Sequence, residues 1–291
     1  MIALHTTGGN NPLWLSWDFD PIVIVIVLTA GLLYTRGLGH RSEARLRLHP
    51  WWRPVLYYTG LGTLLFALIS PLDHLADELF FMHMIQHLLL TITAAPLILL
   101  GAPMIPVLRG IPRPVRRAVV VPFLRSPLVR KPLKLISLPI LAWALYVGAI
   151  VAWHTPNAYD FALRNGLAHD LEHLSFSLAA ILFWWNVINP VPLRANLSYL
   201  ARVPYVFLTT VPNFVLGAFI TLSENPWYSF YIEQNLRWGL SAQEDQQIGG
   251  VLMWVPGSLV LLSALLIVLA YVVITEQRKQ ESREAQGTMT D

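Results

Sequence analysis

Seven stretches of mostly apolar residues run through this chain, at 21–34, 55–70, 79–100, 135–153, 167–187, 204–222 and 248–274. About 20 residues at 1.5 Å each cross a hydrocarbon core roughly 30 Å thick, so the pattern predicts an all-α, polytopic transmembrane bundle of seven spans. The first two apolar cores are short, and Trp14 and Trp17 before one and Trp51 and Trp52 before the other extend them with aromatics suited to the headgroup level. A soluble alternative fails on composition. Only 13% of residues are charged and 55% are hydrophobic, against about 25% charged in an ordinary globular domain. There is no cysteine, which removes disulfides, thiolate metal sites and thiol nucleophiles together. Any metal must then rest on His, Met, carboxylate or backbone.

The Lys and Arg residues fix the expected orientation. Eighteen of the twenty fall after the first, third and fifth stretches or in the C-terminal tail, leaving Arg164 and Arg237 on the other side. Positive connections stay cytoplasmic, so an odd number of crossings is predicted, N-terminus outside and C-terminus inside. The net charge of +3 therefore reads as membrane orientation, and no nucleic-acid partner is expected. No Lys or Arg precedes Arg36, so the basic start of a cleavable signal peptide is missing and residues 1–20 are expected to stay in the chain. The connection 101–134, rich in Pro and Arg around an apolar patch at 118–124, reads as a cytoplasmic loop with an interfacial helix on anionic lipid; a partner-docking segment is the alternative. On this reading residues 1–276 form one seven-span domain, and the polar, aperiodic residues 277–291 a disordered cytoplasmic tail.

Polar residues inside such spans are costly and usually functional, which directs attention to the histidines. His40 and His49 sit among arginines and need no role beyond solvation, and His5 and His74 read as hydrated surface groups. His83 and His87 lie roughly 6 and 12 Å below the outer end of the third span. His169 and His173 occupy the first two turns of the fifth, and His154 closes the fourth on the same side. Both pairs have HxxxH spacing, which puts two imidazoles one turn apart on one helix face. Two such faces at similar depth make a four-imidazole constellation suited to copper, zinc, iron or nickel, and the thioethers of Met82, Met84 and Met253 would favour Cu(I). Asp170 and Glu172 are placed to orient the rings or accept their protons. The candidate metal ligands are His83, His87, His169, His173, His154, Asp245 and Met253. Each has a plainer alternative: interhelical hydrogen bonding for the paired histidines, capping of the last carbonyls for His154, packing for the methionines. Asp245 complements the dipole of the seventh helix equally well, and Gly249 and Gly250 beside it permit close packing. Pro96, Pro139, Pro212 and Pro256 lie inside spans and are expected to kink them.

Four blocks carry a resemblance: residues 83–103 (HMIQHLLLTITAAPLILLGAP), 153–160 (WHTPNAYD), 169–190 (HDLEHLSFSLAAILFWWNVINP) and 245–257 (DQQIGGVLMWVPG). Together they resemble the signature blocks of the bacterial CtaG-type assembly factors for caa3-type cytochrome c oxidase. The resemblance implies a multi-pass protein of the bacterial plasma (inner) membrane that helps build a haem–copper oxidase. Its implied partners are oxidase subunits, copper ion and membrane lipids, with copper as the metal handled. An unrelated single-span copper carrier that shares the name relies on cysteines, and this chain has none.

Three function classes compete. The first is a non-enzymatic assembly protein with an outer-leaflet, His-rich site that holds copper transiently. In the second, a membrane redox protein, His87 and His173 would ligate a b-type haem axially, which leaves the second histidine of each pair without a role. The third is a seven-span zinc hydrolase, with three imidazoles on the metal and a carboxylate as base; no HExxH motif and no obvious nucleophile accompany it.

Overall fold

The computed structural model describes residues 16–39, 49–190, 197–234 and 238–287, so His5, His40, Trp14 and the last four residues of the tail lie outside the described part. All regular structure among the described residues is helical. The first helix, α1 (Pro21–Leu38), begins where Asp20 accepts from the amides of Ile22 (2.6 Å) and Val23 (3.2 Å) and Pro21 takes the first helical position. Its run of Ile and Val would favour a strand in water. In a bilayer the backbone must satisfy itself, and a helix does that within one segment.

Two helices in sequence, α2 (Trp52–Ile69) and α3 (Pro71–Glu78), meet at a 47° bend. Ser70 caps α3 through Leu72 N (3.2 Å), with Pro71 behind it. Next comes α4 (Phe80–Leu100), whose middle, Leu89–Ala94, widens into a π-helical turn just before Pro96. Proline lacks an N–H and crowds the carbonyl four residues back, and the wider turn absorbs that mismatch without breaking the span. At its far end lie α5 (Met104–Gly110), α6 (113–125) and α7 (Pro127–Ile136), and the last is bent by 72° against α8 (Pro139–Trp153). Then follow α9 (Pro156–Arg164), α10 (Gly166–Ile188), α11 (Tyr199–Leu222), α12 (Ser229–Gln234) and α13 (Ala242–Gly287).

Five helices, α1, α4, α10, α11 and the first 37 residues of α13, are long and apolar enough to cross a membrane. The two bent pairs bring the count to seven if each is one span. Helix covers residues 277–287, where the sequence suggests irregular chain. Arg202, placed in a connection by the sequence reading, belongs to α11, buried with Nη1 donating to Val187 O (2.8 Å). Pro139 opens a helix rather than kinking one.

The core is built around α4, α8, α10, α11 and α13, with Phe80, Met84, Phe176, Phe183 and Met253 inside it. On α10 one stripe, Leu167, Leu171, Leu174 and Leu178, is exposed, while Glu172, His173, Phe176 and Ala180 on the opposite stripe are buried. Leucines outward and polar groups inward is the arrangement lipid imposes on a helix carrying a function. Small residues bring α11 and α13 together: a Cβ on Gly217 would lie 2.7 Å from that of Trp254, and one on Gly250 2.8 Å from Thr221 N. A smaller cluster, Val27, Tyr34, Tyr57 and Leu61, ties α1 to α2, and Tyr34 donates to Gly101 O (2.9 Å).

Candidate metal centre

The first turns of α4 and α10 carry the two HxxxH pairs, and the fold sets them face to face. Ring centroids are 4.2 Å apart for His83 and His87, 4.3 Å for His169 and His173, and 5.2 Å for His83 and His169. His83 Nε2 lies 3.4 Å from His169 Nε2. Two donor groups form, each with its ligand atoms within 4.8 Å of one another: His83 with His169 and His173, and His83 with His87 and Glu172. His83 belongs to both. His169 is half-buried at the edge, whereas His83, His87, Glu172 and His173 are buried.

Glu172, which the sequence reading gave only a supporting role, stands among the donors, with Oε1 3.6 Å from His87 Nε2. The signal was in the spacing. Positions 169, 172 and 173 share a helix face at i, i+3 and i+4, while Asp170 points about 100° away and is exposed. Neither Glu172 oxygen nor His87 Nδ1, His87 Nε2 or His173 Nε2 has a hydrogen-bond partner among the described residues. Buried polar atoms are nearly always paired, so unpaired atoms on three neighbouring residues, Glu172, His87 and His173, mark a place shaped for a ligand that accepts electron pairs.

Behind His83 stands a pair of tyrosines that the sequence reading did not single out, although Tyr159 lies in the WHTPNAYD block. Tyr231 donates to Ala76 O (2.8 Å), so its oxygen can only accept from the others. Tyr159 Oη is 2.7 Å from His83 Nδ1 and 3.4 Å from Tyr231 Oη. Burial pushes both phenols well above their ordinary range, so both keep their protons. One consistent order runs His83 Nδ1–H to Tyr159, Tyr159 to Tyr231, Tyr231 to Ala76. It leaves the lone pair of His83 on Nε2, facing the other imidazoles. Helices α9 and α12 are fixed to each other by Asp160, which accepts from Ser229 N (3.2 Å) and Phe230 N (3.3 Å).

The remaining candidates are placed as follows. Asp245 sits apart from the imidazoles: its carboxylate accepts from Phe80 N (2.8 Å) and Phe81 N (2.9 Å) and caps α4, three residues ahead of His83. His154 borders the cluster, its ring 5.8 Å from that of His87. Met253 is buried on a cavity next to His87 and His154. His74 lies 3.8 Å from Glu78, away from the cluster, and His49 packs 6.2 Å from Tyr34 among the residues of the opposite, basic end.

Uncharacterized proteins of Mycobacterium leprae (strain TN) and Mycobacterium bovis are 26% and 27% identical to this chain over 285 and 279 residues, 94% and 92% of it. The chain spans only 42% and 40% of the length of those relatives. No solved structure matches it. Residues 23–274 match the cytochrome c oxidase caa3 assembly factors, a range that takes in all four sequence blocks and every residue of the cluster, and the chain belongs to that family.

Proposed function

We propose that this chain helps assemble a haem–copper cytochrome c oxidase in the bacterial plasma membrane by holding copper in the His83, His87, His169, His173 and Glu172 cluster. The observation that carries the reading is the set of buried donor atoms without hydrogen bonds on His87, Glu172 and His173. Four imidazoles and one carboxylate are a donor set for a borderline or divalent first-row ion, so the residues fit the metal that the family implies. Tyr159 lies within hydrogen-bond reach of His83 Nδ1, which leaves Nε2 as the atom facing the other imidazoles, and half-buried His169 gives the site an entrance. A haem between His87 and His173 is disfavoured because their ring centroids lie only 5.5 Å apart, which leaves no room for a macrocycle between them.

The test is a His83→Ala/His87→Ala double variant. Losing two imidazoles removes few apolar contacts, so the variant should insert at near-normal level. Purified wild-type protein should retain copper and the variant should not. The host should then build oxidase polypeptide and haem with low copper content and low oxygen consumption, partly rescued by added copper. Oxidase with full copper and normal activity would sink the proposal. Wild-type protein that carries stoichiometric zinc and no copper would move the assignment to a hydrolase.

A further inference from the structure

On the membrane side of the imidazole cluster a second set of donors meets without belonging to it. Met84 follows His83 by one residue and so points about 100° away, toward His154 at the end of α8 and Gly249 of α13. His154 ends α8, with Nδ1 2.7 Å from Ile150 O. A carbonyl only accepts, so Nδ1 carries the proton, and the neutral ring holds its lone pair on Nε2. That nitrogen faces Met84 Sδ at 3.4 Å. A thioether has no proton to give. Two electron-pair donors therefore face each other with no hydrogen between them, both buried, at 3% and 1% exposure.

The gap has the dimensions of a coordination sphere. Bonds of about 2.0 Å to an imidazole nitrogen and 2.3 Å to sulfur, meeting at a tetrahedral angle, put N and S about 3.5 Å apart, and the observed separation is 3.4 Å. Both residues line the cavity of about 30 Å³, and so do His87 and Met253. His87 Nδ1 has no hydrogen bond, and Met253 is buried with its backbone carbonyl already held by Asn213 Nδ2 (3.1 Å). Such a volume admits an ion with one or two waters. Thioether with imidazole is a soft set that selects Cu(I) over zinc or magnesium.

We propose that Met84 and His154, with Met253 and His87 completing the cavity wall, form a second site that takes Cu(I). Met84, His154 and Met253 lie outside the first site, so the inference stands whether or not the first holds metal. The two sites differ in ligand softness and share one wall, His87.

The experiment uses the full chain in detergent, without oxygen, and titrates Cu(I) against a chelator while X-ray absorption at the copper edge counts sulfur neighbours. Wild-type protein should bind Cu(I) with sulfur in its shell. A Met84→Leu/Met253→Leu variant conserves volume and should stay folded and monodisperse. It should lose the sulfur signal and weaken Cu(I) binding by at least the roughly tenfold that removing an outer-shell partner costs, while Zn(II) binding at the imidazole cluster is unchanged. His154→Ala should lose the same Cu(I) affinity. Wild-type Cu(I) bound by nitrogen and oxygen alone, or a Met variant without effect, would overturn the second site and leave the first standing. Sulfur-ligated Cu(I) with no divalent binding would do the reverse.

Discussion

The tautomer of one histidine governs what the cluster can hold. His83 Nδ1 sits 2.7 Å from Tyr159 and 3.2 Å from Tyr231, and only if it is the donor does Nε2 offer a lone pair to an ion. Tyr159→Phe removes the nearer acceptor while keeping the ring, so the protein should fold normally and bind Zn(II) or Cu(II) roughly 10- to 100-fold more weakly; chelator competition reads this. Tyr231→Phe should have a smaller effect, since Tyr159 still accepts. Equal metal affinity in Tyr159→Phe would mean that the tyrosines only pack. Glu172 yields a prediction of opposite sign for stability. A buried carboxylate without hydrogen bonds destabilises the metal-free protein, so Glu172→Gln should raise the Tm measured with a chelator present and lower metal affinity. A fall in both would show that Glu172 holds the fold through His87. These residues were partly legible in advance: HxxxH spacing revealed the four imidazoles, and the same helical arithmetic brings Glu172 to their side. Tyr231 was not legible, because nothing local ties residue 231 to residue 83.

Helices put those side chains in place, and α4 does so through a cap from far along the chain. Asp245 lies in the first turn of α13, where its sequence position suggested service to its own helix dipole, yet its oxygens receive the first amides of α4, about 165 positions earlier. Periodicity carries no information about a partner that distant. Apolar runs did reveal the helices able to cross a membrane, five outright and two more if each bent pair is one span, since a bilayer leaves a segment of that length little choice but a helix. They did not reveal the bends. Ser70-Pro71 and Leu138-Pro139 are helix-start signals at the edges of the apolar runs, and Pro at the first helical position separates α2 from α3 and α7 from α8. Asp245→Ala should leave the amides of Phe80 and Phe81 without an acceptor and cost about 1–3 kcal/mol, seen as a lower Tm in detergent. The first turn of α4 bears His83, so metal affinity should fall with it. Asp245→Asn, which keeps one acceptor oxygen, should be intermediate. Unchanged metal affinity in both variants would separate the cap from the site.

Across the whole molecule the two ends of the bundle differ in kind. One end gathers His83, His87, His154, His169 and His173 under α3, α9 and α12; the other carries α5, α6 and α7 with Arg109, Arg113, Arg116, Arg117, Arg125, Arg130, Lys131 and Lys134. No residue of α7 is buried, and Leu128, Leu133 and Leu135 are exposed beside the basic residues, the composition of a helix lying on an anionic leaflet. Basic segments of this kind remain on the cytoplasmic side, so the histidine end should face outward, where a half-buried His169 could meet an ion arriving from outside the cell. That orientation is open to direct measurement. A reporter active only in the cytoplasm should give signal when fused at Ser126, between α6 and α7, and again at Gly287, the end of α13. It should be silent at Asn11, and a reporter active only outside should give the inverse pattern. Signal at both Asn11 and Gly287 would require an even number of crossings, making one bent pair a re-entrant hairpin. Silence at both Ser126 and Gly287 with signal at Asn11 would invert the bundle, placing the imidazole cluster toward the cytoplasm and its copper supply on that side.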